Sequence, residues 1–367
     1  MAARPRIALV HDWITTFGGA ERCLILLHQM FPEAPIFTLV HDRSTSPPEL
    51  DGATVFTSPL QRLPGATRNW QRYLPLMPYS IEQLDLRGYD LVISSSHAVA
   101  KGVLTHSGQR HLCYCYTPMR YVWDLYQTYL EHTRLSPLAG KAFRWSAHYL
   151  RMWDLQSAQR VDKFIAISGT VQRRIQRIYG REAPVVFPPV DTDYFNIDPH
   201  GQRDYYLAVS RFVPYKRLDL VIETFNHRQE KLLVVGDGPL GGRLRKMAKR
   251  NVEFIGAVSD EELRVLYQNC RALVFPAEED FGIIPVEAQA CGRPVVALGK
   301  GGTAETVVDG VTGVLFPEQT PQSLDGAIDA LERGSFDSAR IREHAQRFDK
   351  KVFVAKMQAA ARYLLDS

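Results

Sequence analysis

Glu279 and Glu287 are separated by seven residues in the run Glu279-Asp280-Phe281-Gly282-Ile283-Ile284-Pro285-Val286-Glu287. Glu279 follows the apolar run Ala272 to Phe275, which reads as a buried strand. Glu287 falls about a turn inside a helix expected to begin near Ile284, where Pro285 suits the first turn. Between them, Phe281, Gly282, Ile283 and Ile284 can aim backbone N–H groups at an anion. One carboxylate in the loop and one on the helix can accept hydrogen bonds from two sets of sugar hydroxyls. A solvated acidic run and a first-turn Glu favoured by the helix dipole would account for the spacing alone. The intervening sequence and the position after a strand favour the chemical reading.

Upstream, Ser210-Arg211-Phe212-Val213-Pro214-Tyr215-Lys216-Arg217 follows another short apolar run, Tyr206 to Val209. The Arg211 fork and Lys216, in one strand-to-helix loop, suit a diphosphate better than two unrelated surface cations. In the first half, His97 follows Ser94-Ser95-Ser96, read as a small polar loop after the strand Leu91 to Ile93, with Lys101-Gly102 adding charge nearby. Gly18 and Gly19 lie in the corresponding loop of the first strand–helix unit, where missing side chains let a ligand approach the backbone.

Other motifs compete. Gly236-Asp237-Gly238-Pro239-Leu240-Gly241 matches the G-x-G-x-x-G dinucleotide fingerprint. It begins mid-domain, however, carries Pro239 where N–H donors are needed, and has no acid at the end of the next strand, so a tight turn is expected. Asp191-Thr192-Asp193 mimics a metal-binding Asp-x-Asp but sits in a proline-rich connection, so a turn is expected there too and no metal is assigned. Gly301-Gly302-Thr303 is a second candidate phosphate-facing loop.

These residues need elements to hold them. In the second half, strands at 206–209, 232–235, 252–255, 272–275 and 294–298 alternate with helices at 217–225, 243–250, 260–269 and 284–290, which implies a parallel, doubly wound sheet. The first half repeats the theme with Ile7 to Val10, Leu91 to Ile93 and Phe164 to Ser168, the last followed by an amphipathic segment, Val171 to Tyr179. The α/β fold expected is therefore two Rossmann-like doubly wound parallel-sheet domains facing a central cleft. Residues 1–188 would form the first and 189–347 the second, with a final helix, 348–367, packing back on the first.

Length and composition bound the function. A chain of 367 residues with 45% hydrophobic and 23% charged residues is a folded protein of about two domains. The net charge of +4 is too small to announce nucleic-acid binding. It splits unevenly: residues 1–185 hold 21 Lys/Arg and 14 Asp/Glu, a net +7, and the remainder holds 23 and 26, a net −3. The five cysteines form no metal spacing, and neither a signal-peptide core in Met1 to Val10 nor a spanning run is legible. A cytoplasmic protein is expected.

Taken together, the second half resembles the donor domain of retaining GT-B glycosyltransferases of family 4. The resemblance rests on Ser210-Arg211 with Lys216-Arg217-Leu218-Asp219, Gly236-Asp237-Gly238-Pro239, Phe254-Ile255-Gly256, Pro276 to Glu287, Ala290-Cys291-Gly292-Arg293-Pro294-Val295-Val296 and Gly301 to Glu305. The first half agrees through Gly18-Gly19-Ala20-Glu21 and His97. At the domain connection, Pro188-Pro189-Val190-Asp191 stands where the family often has Asn-Gly-Val-Asp, which stiffens the linker.

The resemblance implies transfer of a hexosyl group from a nucleotide diphosphate sugar, a co-substrate, with retention at the anomeric carbon and with no cofactor or metal. Glu287 would hold the ribose hydroxyls, and Glu279 with the backbone of Phe281, Gly282, Ile283 and Ile284 would face the donor sugar. Arg211 and Lys216 would neutralise the leaving diphosphate. Val258 would read the base through its backbone, Gly18 and Gly19 would lie against the diphosphate, and His97 would contact the sugar near the reacting carbon.

His11-Asp12-Trp13 and the block Tyr116-Thr117-Pro118-Met119-Arg120-Tyr121-Val122-Trp123-Asp124 resemble the bacterial mannosyltransferases of O-antigen and exopolysaccharide synthesis. GDP-mannose is the expected donor and a UDP-hexose the alternative. Asp12, Arg120, Tyr121 and Trp123 are acceptor-side candidates, for a glycan or polyprenyl-diphosphate-linked acceptor. Residues 116–160, with Arg144, Trp145, Tyr149, Arg151 and Trp153, suit the inner face of an anionic cytoplasmic membrane as readily as they suit ordinary packing helices. A GT-B sugar-nucleotide epimerase, a non-catalytic sugar-nucleotide sensor and an NAD-dependent oxidoreductase are the other classes open at this point.

Overall fold

The structure is a computed structural model and describes residues 5–127, 130 and 137–367. Residues 1–4 of the N-terminal run, and 128, 129 and 131–136 of the aromatic block 116–160, lie outside the described residues. The chain divides into two compact units: the described residues up to Phe187 together with Phe353–Ser367, and Pro188–Val352.

The first unit holds β1 (Ile7–His11), β2 (Ile36–Thr38), β3 (Val55–Thr57), β4 (Leu91–Ser96), β5 (Arg110–Cys115) and β6 (Lys163–Ala166), in the order β3-β2-β1-β4-β5-β6. The second holds β7 (Tyr205–Val209), β8 (Leu232–Val235), β9 (Val252–Gly256), β10 (Cys270–Phe275), β11 (Val295–Leu298) and β12 (Gly313–Phe316), in the order β12-β11-β10-β7-β8-β9. Every pairing is parallel. Counted from its own first strand, each sheet has the same doubly wound order, so each has one point where the strand order reverses. In the first sheet that point lies between β1 and β4, where His11 pairs with Ser95. In the second it lies between β7 and β10, where Leu207 pairs with Leu273.

These elements follow from local chemistry. Strands covered on both faces read as unbroken apolar runs, and Leu232–Val235 and Val295–Leu298 are buried throughout. The helix Asp260–Asn269 starts on a capping box, with Ser259 and Glu262 satisfying one another's backbone N–H groups. The helix Gly169–Tyr179 starts where the Ser168 hydroxyl accepts the Val171 amide, and ends at Gly180 in the left-handed conformation. Separate apolar cores form in the two units, one around Val10, Val92 and Met119, the other around Phe212, Val234 and Ile328.

The serines after Ile93 are not a loop. β4 runs on to Ser96, and Ser94 to Ser96 are buried. The sheet accommodates them because Ser94 Oγ lies 2.8 Å from His111 Nε2 and Ser95 Oγ lies 3.1 Å from His11 Nδ1. The connection after Pro189 is fastened rather than slack. Val190 N–H donates to the Phe348 carbonyl at 2.9 Å, Asp191 pairs with Lys350 at 2.6 Å, and Asp193 pairs with Lys351 at 2.8 Å. The two carboxylates of the Asp-x-Asp motif are thus held by lysines. The last helix, Lys350–Leu365, contributes Phe353, whose ring meets Tyr114 edge-on with centroids 5.3 Å apart. Among the described residues, no helix is long and apolar enough to cross a membrane.

Candidate functional site

In open parallel sheets, ligands gather at the carboxyl ends of strands where the order reverses. In the second unit the loops there are Ser210–Arg217, after β7, and Pro276–Gly282, after β10. Lys216 closes a short turn, Pro214–Lys216, and its ammonium forms an ion pair with Glu279. Both side chains are largely shielded, at 12% and 22% exposure, so the pair is screened less than a surface one. The structure therefore joins two residues that the sequence assigned separately to the diphosphate and the sugar. Arg211 is exposed, and its guanidinium donates to the Tyr215 hydroxyl at 3.2 Å.

The glycine fingerprint has a packing explanation. A Cβ on Gly236 would lie 1.9 Å from the Ser210 carbonyl oxygen, and one on Gly238 2.8 Å from the Phe212 amide nitrogen. These glycines let the turn press against the backbone of the Arg211 loop. Gly302 does the same for the other loop: its N–H donates to the Glu279 carbonyl at 2.7 Å, and a Cβ there would sit 2.2 Å from Phe281 Cα. Gly301-Gly302 thus positions the Glu279 loop through its backbone.

Gly282, with φ of 85°, turns the chain into the helix Ile283–Ala290. Phe281 and Gly282 are buried, while Ile283 and Ile284 are partly exposed at the first turn, whose N–H groups have no partner within the helix itself. One turn on, Glu287 is buried at 3% exposure and accepts a hydrogen bond from the Tyr267 hydroxyl at 3.0 Å. Tyr267 comes from the helix Asp260–Asn269, where it is the buried residue. Val258 sits half-buried between β9 and that same helix.

In the first unit, Asp12 follows β1 and His97 follows β4. Asp12 is fully buried. Its Oδ2 accepts the N–H groups of His97 at 2.7 Å and Ala98 at 3.0 Å, and its Oδ1 those of Val99 and Ala100, both at 2.7 Å. His97 Nδ1 lies 3.1 Å from Asp12 Oδ2. The expectation that Asp12 faces an acceptor is corrected here: a carboxylate enclosed by four backbone donors is a positioning group for the His97 loop. The His97 ring packs edge-on against Trp13 with centroids 4.5 Å apart and keeps 27% side-chain exposure. Burial lowers its pKa, and His11 adds to this while Asp12 and Glu21 oppose it, so the imidazole is neutral near pH 7.

Lys101 is a second correction, because it adds no charge to this loop. It is 2% exposed and forms a buried ion pair with Asp154, which also accepts hydrogen bonds from Trp123 Nε1 at 2.8 Å and the Tyr179 hydroxyl at 2.9 Å. The Trp123 indole N–H is thus turned inward. Arg120 and Tyr121 are partly buried beside it. Gly18 precedes the helix Gly19–Met30, and a Cβ on Gly19 would meet nothing within 4 Å, leaving open space over the backbone.

Sequence reasoning missed Tyr267 and the chain His11–Ser95–Tyr116–Ala20. Tyr116 OH lies 2.8 Å from Ser95 Oγ and donates to the Ala20 carbonyl at 3.0 Å. An apolar-face position occupied by Tyr on the helix 260–269 was the available signal for Tyr267. Tyr116 stands in a block that the sequence marks, but nothing local joins it to its partners, which are 21 and 96 residues away.

Two doubly wound sheets of identical order, each with its charged residues at the reversal point, define the GT-B architecture. Anabaena HepE, solved with UDP and glucose, has the same fold, at a TM-score of 0.71 and 19% identity, over 97% of this chain and 99% of that one. Residues 17–194 match the model described as Glycosyltransferase Family 4, and residues 191–350 the model described as Glycosyl transferases group 1. The chain thus carries a Glycosyltransferase Family 4 domain followed by a Glycosyl transferases group 1 domain, which together span residues 17–350.

Among curated relatives it is 31% identical to O-antigen chain mannosyltransferase C of Escherichia coli, over 53% of this chain and 57% of that protein. It is 33% identical to the GDP-mannose-dependent alpha-(1-6)-phosphatidylinositol monomannoside mannosyltransferase of Mycolicibacterium smegmatis, over 39% of this chain and 45% of that protein. The chain spans about half the length of the curated relatives it matches.

Proposed function

We propose that the protein is a retaining, metal-independent glycosyltransferase that moves a mannosyl group from GDP-mannose to a glycan or polyprenyl-diphosphate-linked acceptor. The observation that carries the reading is the Lys216–Glu279 ion pair at the reversal point of the second sheet, in the loop that leads into the helix bearing the buried Glu287. That arrangement supplies a cation for a departing diphosphate, a carboxylate for sugar hydroxyls, and a second carboxylate, oriented by Tyr267, for the ribose.

In the reaction the bond between the anomeric carbon and the diphosphate oxygen breaks, and a bond from that carbon to an acceptor hydroxyl oxygen forms on the same face. The acceptor proton passes to the departing phosphate oxygen, so no protein base is required. Arg211 and Lys216 stabilise the developing negative charge as preorganised groups. The family resemblance assigns Val258 to the base, the Phe281–Ile284 backbone to the sugar, Gly18 and Gly19 to the diphosphate, and a neutral His97 to the sugar near the reacting carbon.

The mannosyl donor is supported by the two mannosyltransferase relatives, one of which is GDP-mannose-dependent by name. The basic and aromatic residues of the helix Pro137–Ala158, with Trp145 at 73% exposure, support an acceptor carried on an anionic membrane surface. Incubation of the protein with GDP-mannose, UDP-glucose or ADP-glucose and a lipid-diphosphate glycan, with the product's anomeric configuration read by NMR, tests the reading. An α-mannosyl product from GDP-mannose is expected. Inversion, or turnover of donor without transfer, contradicts it.

A further inference from the structure

At the amino ends of β7, β10 and β11, opposite the loops that carry Lys216 and Glu279, lies a cavity of about 430 Å³. Arg203, Arg271 and Arg293 line it, together with Asp204, Glu332 and Ser338. Nothing in the donor chemistry uses these residues, and Arg293 belongs to the Ala290–Val296 run that the proposed function leaves without a role.

The charges there are not matched one for one. Glu332 is committed to Arg271, at 3.1 Å, and to the Tyr206 hydroxyl. Arg203 is exposed, has a left-handed backbone with φ of 63°, and among the described residues donates only to Ser338 Oγ, at 3.3 Å. Arg293 is 2% exposed, its terminal nitrogen donates to the Gln268 carbonyl, and its Nε has no partner among the described residues. Neither Arg203 nor Arg293 has a carboxylate within ion-pair distance among the described residues. Burial, and then the positive charge of Arg203, lower the Arg293 pKa, while Cys270, Cys291 and Asp198 oppose the shift. A buried guanidinium with an unused donor is costly unless an anion completes it.

We propose that this cavity is a second anion site, for phosphate or a small phosphate monoester, held by Arg203, Arg293 and Ser338 Oγ with Arg271 at its edge. Arginine's planar fork matches phosphate oxygens, and the volume accommodates a monoester with a short carbon chain. The site is independent of the donor reading, since it shares no residue with it.

The test is calorimetric titration of inorganic phosphate, and separately of glycerol 3-phosphate, into the full chain at constant ionic strength. Three proteins are compared: the native sequence, Arg203→Asn and Lys216→Ala. Asn tolerates a left-handed backbone, so the Arg203 variant removes charge without adding strain. Saturable binding by the native chain and by Lys216→Ala, weakened at least tenfold in Arg203→Asn, is expected. Tighter binding of the monoester than of phosphate assigns the site to a phosphorylated metabolite, and equal binding assigns it to the free anion. Absence of saturable binding, binding unchanged in Arg203→Asn, or binding lost only in Lys216→Ala overturns the proposal. Arg293→Gln is a second probe of the buried wall, and if it fails to fold, Arg203→Asn carries the test alone.

Discussion

Lys216 and Glu279 neutralise one another across the point where the second sheet reverses its strand order, one from the loop after β7 and one from the loop after β10. In the proposed reaction an arriving diphosphate would compete with Glu279 for the same ammonium, so the two residues should act as one unit. Lys216→Ala and Glu279→Gln should each slow turnover by about 10²- to 10³-fold. The double variant should be close to the slower single one, because coupled groups are non-additive. Steady-state kcat with the preferred donor measures this, and strictly multiplicative losses would show that the pair is not coupled.

Glu287 should govern nucleotide binding more than turnover. It is buried, and the Tyr267 hydroxyl orients it. Glu287→Ala is expected to weaken GDP binding by at least tenfold, and Tyr267→Phe by a smaller factor, in line with one hydrogen bond of about 1 kcal/mol. Titration calorimetry with GDP gives both values. A Tyr267→Phe effect larger than that of Glu287→Ala would contradict the orienting role.

Asp12 and His97 should separate stability from activity. Asp12 satisfies four backbone donors, three of them on buried residues, so Asp12→Ala strands those N–H groups and should lower stability by about 3 kcal/mol. His97→Ala removes a partly exposed ring and should reduce turnover while shifting the urea midpoint little. Denaturation and rate measurements on both variants decide the point; equal destabilisation by the two would remove the distinction.

Acid should weaken the fold chiefly through His111, which is fully buried in the neutral form. Burial pushes His111 down to about 3, and it also lowers His41, His97 and His344. In the unfolded chain a histidine takes up a proton near pH 6.5. Between that pH and the lowered value the unfolded state binds more protons. This contribution to stability is therefore full above 6.5 and falls on acidification, by about 1.4 kcal/mol per pH unit for the fully buried His111, with the partly exposed His41, His97 and His344 adding in the same direction. Urea midpoints at pH 7.5 and 5.0 should differ accordingly, and His111→Gln should shrink the difference. A midpoint independent of pH over that range would contradict the assignment.

The sequence reveals the second unit better than the first for a physical reason. Its strands are covered on both faces and read as continuous apolar runs, as at Leu232–Val235, and its loops carry glycines where backbones touch. β2 and β3 have three residues each, too few for a pattern, and β4 carries serines whose partners come from neighbouring strands. The positions of Arg211, Lys216, Glu279 and Glu287 after strands are legible, because alternation of strands and helices sets them at one sheet edge. The pairing of Lys216 with Glu279, 63 residues apart, is tertiary and is not. The same holds for Lys101, whose charge looks available until the fold brings Asp154 beneath it.

The proposed function requires the second unit to bind a nucleotide diphosphate sugar through Glu287 and Lys216. Its most direct test is a titration of GDP-mannose, UDP-glucose, ADP-glucose and NAD into the native chain and into Glu287→Ala. Saturable binding of GDP-mannose, tightest of the four and weakened at least tenfold in the variant, is the predicted result. Binding of NAD alone, or of no nucleotide sugar, would contradict it.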